Sequence, residues 1–121
     1  MKTTQENIIG GPVEGRVALM FDDMISTAGS ICGAAELVQN AGAREIHVAA
    51  THGVFSGPAI ERIQQAPIKS MVVTDSIAID DEKMIPQIKV LTVATLLAEA
   101  IKRIHHDQSI SAIFANLSEA D

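Results

Sequence analysis

With 121 residues, 47% of them hydrophobic, the chain has the length and apolar content of one folded domain and not of a disordered segment. Aromatic residues make up only 2%, so aliphatic side chains must build the core, as is common where helices pack on a parallel sheet. A net charge of −6 without any block of basic residues argues against binding to nucleic acid or to an anionic membrane.

The only cysteine, Cys32, excludes an intrachain disulfide and favours a reducing cytoplasm. It follows a cluster of small residues, where it is either a reactive thiolate at a helix N-terminus or, as we expect, a packing residue. The first residues lack the apolar core of a signal peptide, and no apolar run reaches the length of a membrane span. These features predict a cytoplasmic protein.

In the first half of the chain, predicted strands alternate with predicted helices. Continuous apolar runs predict strands, apolar residues at helical spacing predict helices, and Gly and Pro mark turns. The elements are a polar tail over 1–7, a short extended piece and turn over 8–15, a strand over Arg16–Phe21, a helix over Ser30–Ala41 stopped by Gly42, and a strand over Glu45–Thr51.

The second half continues the alternation. Ser56 or Gly57 is expected to cap a short helix, and Thr92 is expected to cap the last one. The elements are a loop over 51–57, a helix over Pro58–Gln64, a strand over Lys69–Thr74, an acidic loop over Asp75–Gln87, a strand over Ile88–Leu91, a helix from Thr92 to His106, an extended or irregular segment over Ser109–Phe114, and a polar tail over Asn116–Asp121.

Strands that alternate with helices predict a parallel sheet with right-handed crossovers, in which ligands bind beyond the carboxyl ends of the strands. Polar residues follow three of the predicted strands, and we expect them at one edge of the sheet. They are Asp22 and Asp23, then His52, and then Asp75. His52 and Asp75 also have ordinary structural interpretations, as a satisfied histidine and a loop cap.

The segment from Asp22 to Ser30 carries the clearest chemistry. An adjacent acidic pair can accept hydrogen bonds from sugar hydroxyls, bind a divalent ion or move a proton. The small residues over Ser26–Ser30 predict a tight turn whose N–H groups converge on a phosphate at a helix N-terminus. Charge-assisted hydrogen bonds contribute about 1.5–3 kcal/mol each, so several would hold a phosphate without a lysine. A solvated acidic turn is the alternative, whereas a GxxxxGK[ST] phosphate loop and a GxGxxG turn are absent from the sequence.

The sequence FDDMISTAGS resembles the phosphoribosyltransferase signature. Further segments, namely GPVEGR, GAREIHVAATHGVFSGPAIERI, VVTDSI and IKVLTVATLLAEAIKRIHHDQSISAIF, resemble in order and spacing the C-terminal part of ribose-phosphate pyrophosphokinases (PRPP synthetases). The match covers Ile8 to Phe114. It implies an α/β fold of the type I phosphoribosyltransferase kind, in three layers with a mainly parallel sheet flanked by helices and truncated on the N-terminal side. It also implies a homo-oligomer that uses Mg²⁺ to transfer pyrophosphate from ATP to ribose 5-phosphate.

The resemblance also assigns roles to residues. By this resemblance Asp22 and Asp23 contact ribose hydroxyls, and Ser26, Thr27, Ala28, Gly29 and Ser30 cradle the 5-phosphate. Many members have an acid where this chain has Ser26 and a threonine where it has Ser30. Ser109 and Ser111 match a serine segment that in some members helps to form an effector phosphate site. The resemblance assigns no catalytic residue and no metal ligand within this chain.

Family enzymes are longer and contain two similar domains, and the half that contacts ATP has no counterpart in this sequence. The interpretation is a partial domain over residues 8–115 with polar tails at 1–7 and 116–121, which binds ribose 5-phosphate or PRPP and is inactive alone. A non-catalytic synthetase-associated module is the alternative. An uncovered sheet edge is expected to cause oligomerisation or marginal stability.

Overall fold

The computed structural model describes residues 11–118, so the predictions for residues 1–10 and 119–121 lie outside the described part. The chain divides into two units, of which the first ends at Leu91 and the second begins at Thr92. The first unit alternates strands and helices as predicted. Its elements are β1 (Val17–Ile25), α1 (Gly29–Asn40), β2 (Glu45–Gly53), α2 (Ala59–Gln65), β3 (Ser70–Thr74), a 3₁₀ helix (Asp81–Lys83) and β4 (Ile88–Leu91).

The four strands form one parallel sheet in the order β1-β2-β3-β4, which confirms the predicted α/β class. Alternate residues of β2 and β3 point to a single face and are buried there, because α1 and α2 pack on that face. Phe55 and Ile63 fill the space between this face and α2, with 1% and 0% exposure. The core is therefore mostly aliphatic, as the composition predicted.

Strand β1 extends farther than its apolar run, so the prediction that it ends at Phe21 is wrong. Asp22 pairs with Ala50, and Ile25 pairs with Gly53, so the ladder continues through the acidic pair. Pairing with β2 satisfies the backbone there whatever the side chains are. The buried side chain of Ile25, 2% exposed, secures the end of the strand. The acidic pair thus lies inside β1.

The helix ends follow the predictions within one or two residues. Gly42 adopts a φ of 98° just after α1 and its N–H donates to Gln39 O, so it acts as the predicted stop. The expected cap of α2 by Ser56 or Gly57 is wrong: Pro58 takes the N-cap position, without a side-chain capping bond. Strand β2 runs two residues past its predicted end at Thr51, because pairing with β1 continues to Gly53.

The second unit contains α3 (Ala94–His105) and α4 (Ser111–Ser118). The expected cap of α3 by Thr92 is wrong: Val93 takes the N-cap position, although Thr92 Oγ1 accepts a hydrogen bond from Ala94 N at 3.1 Å. The prediction of an extended or irregular segment over Ser109–Phe114 is wrong from Ser111 onwards, and residues 116–118 of the predicted tail are helical too. A single strand needs a partner, whereas a helix satisfies its own backbone groups.

None of the helices within residues 11–118 is both long and apolar enough to cross a lipid bilayer.

Candidate functional site

A groove with a volume of about 160 Å³ opens where β1 ends and α1 begins. Its lining consists of Asp22 and residues 24–31. Six of the seven residues predicted to bind a phosphosugar therefore line one concave surface, and Asp23 lies beside it. The groove lies at the carboxyl end of a parallel sheet, where ligands of such folds bind.

The acidic pair is held by short-range hydrogen bonds. Asp22 Oδ1 accepts a hydrogen bond from Asp23 N at 2.8 Å. A hydrogen bond with the Asp22 carboxyl lowers the pKa of Asp23 below its usual range, the backbone N–H of Met24 acts in the same direction, and the charge of His52 adds to both. Asp23 is thus ionised at neutral pH and has acceptor oxygens for hydroxyl donors.

The turn after β1 leads straight into a helix. Ala28 is the N-cap of α1 and adopts a left-handed backbone with a φ of 64°. A left-handed residue beside right-handed ones turns successive N–H groups toward one side, a geometry that binds anions. The first N–H groups of α1, from Gly29 on, have no intrahelical acceptor and add a positive helix end. Backbone at the groove therefore suits a phosphate.

A second loop, between β2 and α2, is hydrogen-bonded to the turn that lines the groove, and its residues were not predicted to belong to the site. Ser56 N donates to Ser26 O at 2.9 Å, and the hydroxyls of the same two residues share a hydrogen bond of 2.9 Å. From α2, Arg62 Nη1 donates to Thr27 O at 3.1 Å. The strand-end position of this loop was visible in the sequence, but no local pattern singled out Ser56 or Arg62.

The ends of β2 and β3 are joined by side-chain hydrogen bonds. His52 Nδ1 and Ser76 Oγ lie 2.7 Å apart, and Thr74 Oγ1 donates to Thr51 O at 2.6 Å. The half-buried His52 ring is thereby fixed near Asp23, whose pKa its charge lowers. Asp75 is exposed at the same end of the sheet, and its N–H donates to Leu91 O at 3.1 Å.

Cys32 is only 8% exposed and belongs to the core formed by α1. Burial raises the pKa of its thiol, against the opposing effect of the Arg62 charge, so the thiolate is disfavoured. The structure therefore favours the packing role over a reactive thiolate.

The residues present fit a magnesium ion in one limited way. Within residues 11–118, no group of three or more His, Cys, Asp or Glu side chains converges on one point. Mg²⁺ keeps several waters and binds proteins through one or two carboxylates plus substrate phosphates. Asp22 and Asp23 supply the one or two carboxylates that such a site takes from the protein.

The two serines predicted to bind an effector lie in the second unit. Ser109 O accepts a hydrogen bond from Arg103 Nη1 at 3.2 Å, and Ser111 is the first residue of α4.

Comparison with known proteins places this chain in a family. The profile of the phosphoribosyl synthetase-associated domain family matches residues 2–115. The chain belongs to this family. The ribose-phosphate pyrophosphokinase of Rhodopirellula baltica is 68% identical over 114 residues, which are 94% of this chain and 36% of that protein. That of Caldanaerobacter subterraneus subsp. tengcongensis is 54% identical over 108 residues, 89% of this chain and 34% of that protein.

A solved structure supports the same membership. Phosphoribosylpyrophosphate synthetase from Mycobacterium smegmatis superposes with a TM-score of 0.81 at 38% identity, over 87% of this chain and 35% of that one. The predicted resemblance to ribose-phosphate pyrophosphokinases, which are transferases, and the predicted phosphoribosyltransferase-like fold are confirmed. The chain spans about a third of the length of the family members that it matches.

Proposed function

We propose that this chain is the ribose 5-phosphate-binding part of a ribose-phosphate diphosphokinase, which makes PRPP for nucleotide biosynthesis. The observation that carries the proposal is the single groove lined by Asp22 and by the turn from Ser26 to Ser30. A carboxylate at one end accepts hydrogen bonds from ribose hydroxyls, and backbone N–H groups at the other end hold the phosphate. One phosphosugar spans both ends.

The complete reaction requires more than this groove. We propose that ATP binds only when the remaining part of a family enzyme is present, and that this chain alone transfers no pyrophosphate. Mg²⁺, held by Asp22 or Asp23 together with phosphate oxygens, would neutralise charge on the phosphates during transfer. The chain's own contribution is to bind and orient the sugar phosphate. Ser26, where an acid is common, removes one carboxylate from the groove.

A second candidate is a non-catalytic module that assembles with active synthetase subunits. The description of the matched family as a synthetase-associated domain favours it. The two candidates differ in one observation: whether the DNA immediately upstream encodes an ATP-binding half in the same reading frame. An in-frame half supports the enzyme, and a separate gene beginning here supports the module.

Two further parts of the proposal concern setting and assembly. A single buried thiol suits a reducing compartment, so we place the protein in the cytoplasm, without a nucleic-acid or membrane partner.

We also propose that it forms a homo-oligomer, because apolar side chains lie exposed on β1, which pairs only with β2 among the described strands. The effector role of Ser109 and Ser111 remains a prediction by resemblance.

The direct test is calorimetry of the full chain with ribose 5-phosphate, ribose and inorganic phosphate. We expect the wild-type protein to bind ribose 5-phosphate more tightly than either fragment and Asp22→Asn to weaken that binding. The matched control is Asp81→Asn in the exposed 3₁₀ helix, which we expect to leave binding unchanged. No heat at millimolar ligand, from protein that circular dichroism shows to be folded, would overturn the proposal.

The predicted inactivity has its own assay. Purified chain is mixed with ATP, Mg²⁺ and ribose 5-phosphate, and AMP is measured. We expect none above background. Robust AMP release would mean that this chain carries an ATP site of its own.

A further inference from the structure

Three consecutive carbonyl groups behind the groove are all held by the segment between β2 and the middle of α2. Ile25 O accepts hydrogen bonds from Val54 N at 2.9 Å and Phe55 N at 3.2 Å. Ser26 O accepts one from Ser56 N at 2.9 Å. Thr27 O accepts one from the guanidinium of Arg62 at 3.1 Å. The turn is thus fixed from behind, residue by residue, by another part of the chain.

Fixing these carbonyls also fixes the direction of the neighbouring N–H groups. In a trans peptide the C=O of one residue and the N–H of the next point to opposite sides of the chain. The carbonyls of residues 25–27 point toward residues 54–56 and Arg62, so the N–H groups of residues 26–28 point away from these donors. The left-handed φ of 64° at Ala28 continues this arrangement into the first turn of α1.

Arg62 differs from the other donors in two ways. The ties to Ile25 and Ser26 come from backbone N–H groups, which any residue except proline supplies, whereas the tie to Thr27 needs this side chain. The arginine also brings a positive charge to an acidic chain, at a site where Asp22 and Asp23 repel a phosphate. A neutral hydrogen-bond donor at position 62 would hold the Thr27 carbonyl but would not offset the repulsion between the acidic pair and a phosphate.

Gly29 shows how closely the guanidinium lies against the start of α1. A Cβ added at Gly29 would lie 3.2 Å from Arg62 Nη1, so an alanine there must shift the guanidinium by a few tenths of an ångström. Gly33, one turn later in the same helix, has no heavy atom within 4 Å of its added Cβ. The lowering effect of the Arg62 charge on the pKa of Cys32 in that first turn agrees with this placement.

From these contacts we infer that Arg62 is a positioning residue for phosphate binding. It holds the Thr27 carbonyl and thereby the turn that lines the groove, and its charge offsets the acidic pair. The ligand in this inference, ribose 5-phosphate, rests on the proposed function. The ordering of the turn by Arg62 does not depend on it. Arg62 acts through Thr27 and takes no part in bond making.

The ligand test compares Arg62→Met, Arg62→Lys and the wild-type chain by calorimetry. We expect Arg62→Met to weaken ribose 5-phosphate binding about tenfold, the effect of losing one charge-assisted hydrogen bond, and to leave ribose binding within about twofold. Arg62→Lys, which restores the charge and a donor, should recover part of the loss. The control is Arg44→Met, an exposed arginine just before β2 at the opposite end of the sheet.

A ligand-free test separates this inference from the proposed function. Amide hydrogen exchange of residues 26–30 should be faster in Arg62→Met and in Gly29→Ala than in the wild-type chain, with Gly33→Ala as control. Unchanged exchange in both variants, or wild-type affinity in Arg62→Met, would overturn the inference. Faster exchange in a chain that binds no ribose 5-phosphate would support the role of Arg62 in ordering the turn and overturn only the proposed ligand.

Discussion

The hydroxyl groups of Ser26 and Ser56 lie 2.9 Å apart and share a hydrogen bond, although one residue follows β1 and the other follows β2. The backbone of the two residues is joined as well, by Ser56 N and Ser26 O at 2.9 Å. By the resemblance to PRPP synthetases, Ser26 stands where many family members have an acid. In this chain, the Ser26 hydroxyl joins the turn that lines the groove to the loop after β2.

Removing the Ser56 hydroxyl tests this link. We expect Ser56→Ala to weaken ribose 5-phosphate binding about threefold to tenfold, since a typical hydrogen bond contributes about 0.5–1.5 kcal/mol and the backbone bond between the loops remains. Calorimetry measures the change. The control is Ser70→Ala, which removes a hydroxyl 2.6 Å from His47 Nδ1 at the start of β3. Equal affinity of the two variants would contradict a role for Ser56 at the groove.

Gly53, the last residue of β2, has no room for a side chain. A Cβ there would lie 2.7 Å from Phe55 Cε2, and Phe55 is 1% exposed with a φ of 50°, so its ring cannot move aside freely. We expect Gly53→Ala to lower the free energy of unfolding by about 1–3 kcal/mol, the usual cost of overpacking. Urea denaturation measures it. Gly33→Ala, in open space within α1, should instead leave stability equal or higher.

The hydrogen bonds of the Glu45 carboxyl lead to a prediction of how the stability of the fold depends on pH. Its hydrogen bond with Lys69 at 2.6 Å, and then its bond with His47 at 3.2 Å, lower the pKa of this carboxyl below its usual value of 4.5. A depressed pKa contributes stability above the unfolded-state value, and that contribution disappears as pH falls through the folded-state value. We therefore expect the stability of the wild-type chain to decline below about pH 4.5 in part through this group.

The measurement is urea denaturation of Glu45→Gln across the acidic range. The variant should show a smaller decline with acid than the wild-type chain, because glutamine does not titrate. Glu82→Gln, at an exposed site in the 3₁₀ helix, serves as the control. Parallel pH profiles for the wild-type chain and Glu45→Gln would show that the pair with Lys69 does not contribute.

Exposed apolar residues on β1 predict self-association. Leu19 and Phe21 are 66% and 78% exposed, and they alternate along a strand that has one paired edge in the described sheet. Such an edge is a template for pairing with another chain. We expect sedimentation velocity to detect oligomers of the wild-type protein and a shift toward monomer in the double variant Leu19→Glu, Phe21→Lys. Lys89→Glu on β4 is a control for charge alone, and a wild-type chain that stays monomeric at every concentration would contradict the prediction.

Local patterns in the sequence determined much of this protein. Apolar runs and helical spacing placed four strands and three helices, and small residues after Asp22 and Asp23 located the groove. These features depend on neighbours within a few residues, which is why they are legible in the sequence. The closing segment was the exception: Ser111–Ser118 is helical, and whether a short apolar segment becomes a strand depends on a pairing partner that local sequence does not specify.

Only the tertiary structure decided how far β1 runs and what stands behind the turn. Pairing with β2 carries β1 through the acidic pair to Ile25, and the crossover to α2 brings Ser56 and Arg62 against Ser26 and Thr27. These contacts join residues far apart in the chain, and they form only when parallel strands and crossover helices pack together. The sequence by itself indicated most of the residues that line the groove, whereas the packing of α2 decided which contacts hold the turn.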